Sequence, residues 1–216
     1  MTMPMPPQMP PPPAAGRTGY PVRVTFDRNQ EINRLWGIPF FGMLVRWLLL
    51  IPHFLVIMVL GIASGLSLLV TWIPILFTGR FPVWALDLYE LTYRWFVRVS
   101  AYFFLMTDAY PPFSGDAPYP ADVTIDAPRE INQLWGIPLL GAWVRGLLTI
   151  PQAIVLFFLG IGIGFALLVI WLPVLVNGRF PQLGYDLFGG YLRMSTRVSI
   201  YTLLVPVPYP PFGIEE

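Results

Sequence analysis

The chain has 216 residues, 56% of them hydrophobic and only 12% charged, with a mean hydropathy of +0.63 and a net charge of +1. Soluble domains carry about 25% charged residues, so this composition and its long apolar runs predict an all-α integral membrane protein. The small net charge, with no basic cluster, excludes a nucleic-acid partner. The absence of cysteine excludes disulfides and thiolate chemistry.

The chain is a gapless tandem duplication with an offset of 99 residues. Glu31-Ile32-Asn33 recurs as Glu130-Ile131-Asn132, and Leu35-Trp36-Gly37-Ile38-Pro39 as Leu134-Trp135-Gly136-Ile137-Pro138. Thr78-Gly79-Arg80-Phe81-Pro82 recurs as Asn177-Gly178-Arg179-Phe180-Pro181. The expected units are a tail over 1–21, a first repeat over 22–113, a linker over 114–120 and a second repeat over 121–216.

The tail is rich in Pro and Met and is expected to be disordered. Val22–Phe26 alternates polar and apolar residues and reads as a short extended segment. Its counterpart is Asp122–Asp126, and the two are expected to pair. Trp36 and Trp135 sit beside charges just before apolar runs, as interfacial anchors do.

Phe40 to Phe77 is apolar apart from Arg46, His53 and a few hydroxyls. A helix of that length would reach nearly 60 Å at about 1.5 Å per residue, against a hydrocarbon core of about 30 Å. Pro52 is the expected break. Phe40–Ile51 reads as an interfacial or kinked amphipathic segment and His53–Phe77 as a membrane span. Leu139–Ile150 and Gln152–Val176 repeat the pair. Gly61, Gly65, Gly160 and Gly164 suggest close helix packing in lipid.

Each Gly-Arg-Phe-Pro reads as a tight reversal at the membrane surface. Gly79 and Gly178 supply a positive φ, Arg80 and Arg179 reach towards phosphates, and Pro82 and Pro181 start the next helix. Arg46 and Arg145 are placed at the interface. The second span, Val83–Thr107, carries Asp87, Glu90, Arg94 and Arg98 at steps of three and four, on one helical stripe. The second copy keeps Asp186, Arg193 and Arg197 and has Gly189 in place of Glu90. Ionisable residues inside a span face the bundle interior or a water cavity. Tyr-Pro-Pro-Phe closes each copy, where two prolines end the helix.

Arg46 with Ile51-Pro52-His53, the Gly-Arg-Phe-Pro turn, Arg94, Arg98 and Tyr102, and Tyr110-Pro111-Pro112-Phe113 form a combined pattern. It resembles an integral membrane protein family, rich in actinobacterial members, whose domain has no assigned function. The resemblance covers about 22–216 and implies a membrane protein, with the domain single or in tandem. Gln152 replaces His53, Asn177 replaces Thr78 and Val207 replaces Asp108 in the second copy.

Two spans per copy predict parallel repeats, with tail, linker and C-terminus on one side and both Gly-Arg-Phe-Pro turns on the other. Arginine counts place the termini in the cytoplasm. The expected function is a non-enzymatic scaffold or accessory subunit of a membrane complex. Its partners are membrane lipids and other membrane proteins or a second copy. The alternative is a binder or carrier of an anionic lipid or small anion, using the arginine stripes. No catalytic residue, metal site or cofactor is expected: His53 has no second histidine near it, and Ser64, Ser67 and Ser100 have no identifiable base.

Overall fold

The computed structural model describes residues 19–39, 41–138 and 140–214. The expected tail over 1–18 and the closing Glu215-Glu216 lie outside them. The described residues begin at Gly19, inside the expected tail over 1–21. Tyr20 is buried, and its hydroxyl donates to the Pro208 carbonyl at 2.9 Å.

The first copy runs through β1 (Val22–Phe26), a 3-10 turn (Arg34–Gly37), α1 (Phe41–Leu49), α2 (Ile51–Thr78) and α3 (Val83–Phe103). The second runs through β2 (Ala121–Ile125), a 3-10 turn (Gln133–Gly136), α4 (Leu140–Leu148), α5 (Ile150–Leu167), α6 (Trp171–Asn177) and α7 (Gln182–Thr202). The fold is mostly helical. The all-α expectation is corrected by one antiparallel ribbon, in which Val22 faces Ile125 and Val24 faces Val123. The expected pairing of the two segments is therefore present.

Pro52 sits in the first turn of α2, where its missing N–H costs nothing. The chain breaks just before it, at Leu50. Gly79 and Gly178 end α2 and α6 in the left-handed region, at φ 64° and 65°, where a side chain would be strained. The expected span Gln152–Val176 is interrupted between α5 and α6. The first copy holds its long helix to α3 by hydroxyls: Ser64 bonds Thr92 at 2.9 Å and Ser67 bonds Tyr89 at 2.6 Å. In the second copy the corresponding residues are Ile163, Ala166, Tyr191 and Phe188, so that ladder is gone.

Among the described residues, α2 and α5 are long and apolar enough to cross a membrane. Only 17% and 11% of their most apolar windows are covered by the rest of the chain. The expected second spans, α3 and α7, do not meet that description; they form the core.

α3 and α7 cross antiparallel. Val97, Ala101 and Leu105 of the first copy pack with Tyr185, Phe188 and Leu192. At the other end, Ala85 and Tyr89 pack with Ile200, Tyr201 and Leu203. The Tyr185 hydroxyl donates to the Met106 carbonyl at 2.6 Å.

The copies exchange the strands that precede α1 and α4. β1 lies on α7 and β2 on α3, while the first 3-10 turn packs on α6 and the second on α2. Glu31 forms an antiparallel bridge with Arg179, and Arg80 with Glu130. Ile32 N donates to the Gly178 carbonyl at 2.9 Å, and Ile131 N to the Gly79 carbonyl at 3.0 Å.

Each Gly-Arg-Phe-Pro turn is thus at the end of the molecule where the other copy's last helix finishes. The expectation of parallel hairpins, with both turns at one end, is corrected. The N-terminal residues and the linker are likewise at opposite ends: Tyr20 is tied to Pro208, beyond α7, and the Tyr119 hydroxyl to the Ala109 carbonyl, beyond α3. The reason is that the linker does not turn back at the base of α3. It continues as β2 along α3 and carries the chain to the far end.

Candidate functional site

The arginine stripes are the first element. Their spacing aims them at the ribbon, whose strands need partners for outward-facing carbonyls. Arg94 Nη2 donates to the Val123 carbonyl at 3.2 Å. Its counterpart Arg193 reaches the Val24 carbonyl through Nε, also at 3.2 Å. Arg197 Nε reaches the Val22 carbonyl at 3.4 Å, and Arg98 Nη1 the Ser114 carbonyl at 3.2 Å. Each stripe therefore fastens the strand donated by the other copy.

The acids divide unequally. Glu90 accepts from Arg94 Nη2 and takes the Ile125 N–H at 3.0 Å. Asp122 lies 2.8 Å from Arg94 Nε and 3.2 Å from Arg98 Nη2. In the second copy the equivalents of Glu90 and Asp122 are Gly189 and, on β1, Arg23. Arg193 there bonds carbonyls, including that of Ile214 at 3.3 Å. Asp87 and Asp186 do not join the interior; both are exposed, and Asp186 pairs with Arg28 at 2.8 Å.

Arg46 and Arg145 make the second element, and neither is at an exposed interface. Arg46 is fully buried, with its guanidinium between the rings of Trp36 and Tyr102, 4.8 and 4.2 Å from their centroids. It donates to the carbonyls of Tyr102 and Thr107 and to Asp108 Oδ1, the last at 2.6 Å. Arg145 repeats this between Trp135 and Tyr201, donating to the carbonyls of Tyr201 at 2.9 Å and Val205 at 2.7 Å. A cation at the C-terminal end of a helix satisfies carbonyls that no helical N–H can reach. Burial lowers the pKa of both guanidinium groups, yet arginine starts so high that both stay charged.

The helices end beside these cations with Leu105 and Leu204 at φ 64° and 65°. That conformation costs a non-glycine residue about 1–2 kcal/mol. Both side chains are buried in the core, which holds them there.

The Tyr-Pro-Pro-Phe segments are the third element. Tyr110 donates to the Leu49 carbonyl and Tyr209 to the Leu148 carbonyl, each at 2.9 Å. These are the joints between α1 and α2 and between α4 and α5. Phe113 stacks on His53 with centroids 4.1 Å apart. His53 is fully buried, and Nδ1 accepts from Trp95 Nε1 at 3.1 Å, which leaves the ring proton on Nε2, turned towards the Pro111 carbonyl without a well-aligned hydrogen bond. In the second copy Gln152 Nε2 donates to the matching Pro210 carbonyl at 3.1 Å, and its Oε1 shares the Tyr209 hydroxyl proton with the Leu148 carbonyl, at 2.8 Å. The exchange of His53 for Gln152 keeps one donor in one place.

Of the turn residues, Gly79 and Gly178 cap helices, Pro82 and Pro181 precede α3 and α7, and Arg80 and Arg179 enter the bridges to the other copy. Arg179 also lies 3.4 Å from Glu31. Sequence reasoning missed Tyr20, Trp95, Tyr119 and the stripe of Ser64, Ser67 and Thr71. The stripe had a signal: three hydroxyls at steps of three and four inside an apolar helix share one face. Of the expected packing glycines, Gly61, Gly65 and Gly164 face open space, where an added Cβ would meet nothing within 4 Å, and Gly160 alone of the four faces another helix, with Tyr191 3.9 Å from an added Cβ.

These elements define a tandem-repeat helical protein whose two copies are locked by exchanged arms and buried arginines. The chain belongs to the family described as a domain of unknown function, DUF4389, whose profile matches it twice, over 42–115 and 140–213. Each match begins after the exchanged arm and ends at or just past Tyr-Pro-Pro-Phe. No curated protein and no solved structure matches the chain.

Proposed function

We propose that this is an integral membrane protein that works without catalysis, as a scaffold or accessory subunit of a membrane complex. The observation that carries the reading is the reversed polarity of α2. Its buried stripe holds His53, Ser64, Ser67 and Thr71, while its exposed side is Leu, Ile, Val, Met and Phe. In water such a helix would hide the second set and expose the first. In a bilayer the arrangement costs nothing, and hydroxyls between helices act as glue. The partners on this reading are bilayer lipids and, on the uncovered flanks of α2 and α5, another membrane protein or a second copy. The reading involves no metal and no cofactor.

The alternative, an anionic lipid or small-anion binder working through the stripes, draws on one observation. Arg197 Nη1 is buried without a hydrogen-bond partner among the described residues. The rest of the stripe supports a structural role, because its guanidinium groups are turned onto ribbon carbonyls and onto Glu90 and Asp122.

Washing isolated membranes with alkaline carbonate tests the membrane reading. The protein is expected to stay in the pellet and to be released only by detergent. Recovery in the carbonate wash or in the cytosolic fraction would contradict it.

A further inference from the structure

A groove of about 620 Å³ runs between α2 and α4. That is within the range of small-molecule sites, about 300–1,000 Å³. Its walls include Leu68, Trp72, Trp143, Leu147, Ile150 and Leu204, and the lining is predominantly apolar. Gly65 on α2 and Gly146 on α4 open it, and a Cβ at either would meet nothing within 4 Å.

The duplication supplies an internal control. Where the second copy has Ala142 and Gly146, the first has Met43 and Trp47. Met43 is partly buried at the symmetry-related place, whereas Trp47 is exposed, with 48% of its surface uncovered. One copy thus places a thioether chain and an indole where the other leaves a trough.

We infer that this groove holds one acyl chain of a membrane phospholipid. The inference rests on the membrane reading above, because the groove is continuous with the exposed apolar flank of α2 and α4. Leu66 and Leu69 of α2 and Trp143 and Leu147 of α4 are all more than half exposed around it. A free anion finds no charged or hydroxyl side chain among the lining residues. A flexible, unbranched hydrocarbon matches its apolar lining and the methionine found at the equivalent position of the first copy.

The test is native mass spectrometry after reconstitution in dioleoylphosphatidylcholine vesicles and extraction into mild detergent. The wild-type chain is expected to retain a bound phosphatidylcholine. The variant Ala142→Met/Gly146→Trp, which copies the first repeat into the second, is expected to lose it. The reverse variant Met43→Ala/Trp47→Gly is expected to gain a further one. If the filled variant fails to fold, the reverse variant decides, and no gain there overturns the proposal. Equal lipid retention by the wild-type and filled chains overturns it as well. A chain that inserts in vesicles and carries no lipid sinks the groove alone. A chain that does not insert sinks the membrane reading, and the groove with it.

Discussion

Glu31 and Arg179 face each other in an antiparallel bridge, although 148 residues separate them and each belongs to a different copy. Arg80 and Glu130 form the symmetry-related bridge. A duplication normally stacks one finished unit beside another. Here each unit is finished by the other's arm, and the arms carry the strands that the buried arginines fasten.

The first prediction concerns the arms. A Cβ at Gly37 would stand 2.4 Å from the Leu175 backbone nitrogen, and one at Gly136 would stand 2.4 Å from that of Leu76. Backbone cannot yield as a side-chain tip does. Gly37→Ala and Gly136→Ala are expected to cost about 1–3 kcal/mol or more, the range for overpacking. Gly61→Ala has open space and is expected to be neutral or stabilising by about 0.5–1 kcal/mol. Thermal melts in detergent compare the three, and equal midpoints would refute the close approach.

Arg46 and Arg145 should differ when removed. Arg46→Ala strands Asp108 as well as two carbonyls, and breaking a buried ion pair costs about 3–5 kcal/mol. Asp108 keeps some exposure, so the low end of that range is expected. Arg145→Ala strands carbonyls only and is expected to cost about 1.5–3 kcal/mol. Urea or detergent unfolding reads the difference. A larger loss for Arg145 than for Arg46 would contradict the assignment.

His53 should be replaceable by the residue that its own duplicate uses. His53→Gln is expected to melt within about 1 kcal/mol of the wild type, whereas His53→Leu leaves buried polar partners unmet and should lose about 1–3 kcal/mol. Equal damage from both substitutions would mean that the ring does something Gln152 does not.

The ribbon's outer face should meet water. The Arg23 side chain is 47% exposed and that of Asp126 is 85% exposed, and Thr25 and Thr124 point the same way. Charges on that face would be costly in hydrocarbon. Since the chain has no cysteine, Thr25→Cys and Val24→Cys can be compared directly. A membrane-impermeant maleimide should label the first in vesicles opened to both sides and spare the second. Protection of both would place the ribbon in lipid or under a partner.

Much of the architecture was legible from residues alone. The repeat offset, the two alternating segments, the break near Pro52 and the glycine-capped turns follow from period and local backbone preference. What escaped was the relation between copies. Val22–Phe26 and Asp122–Asp126 reveal that they are strands, but their antiparallel register forces the two hairpins to run oppositely, and no single-segment pattern carries that. The stripe arginines were legible as interior or interfacial and Arg46 and Arg145 as interfacial, whereas Arg46 and Arg145 are buried and the partners of both sets are mostly backbone carbonyls, which leave no mark in side-chain identity. Asp87 and Asp186 share the helical stripe and still meet solvent, because they lie about one turn nearer the helix start than Glu90 and Gly189, where the last strand residues Ile125 and Phe26 pack, and so stand beyond the end of the ribbon.

The head-to-tail interlock of the copies is the central claim, and a cysteine pair tests it directly. Bridge partners in an antiparallel pair have Cα atoms about 4.5–5.5 Å apart, which a disulfide can span. Arg80→Cys/Glu130→Cys should crosslink within one chain at low protein concentration. With a protease site inserted after Asp116, the two halves should then stay together after cleavage and separate on reduction. Arg80→Cys/Arg179→Cys should give no such link, because those turns lie at opposite ends of the molecule. A link between Arg80→Cys and Arg179→Cys, with none between Arg80→Cys and Glu130→Cys, would mean that the hairpins run parallel and would contradict the interlock.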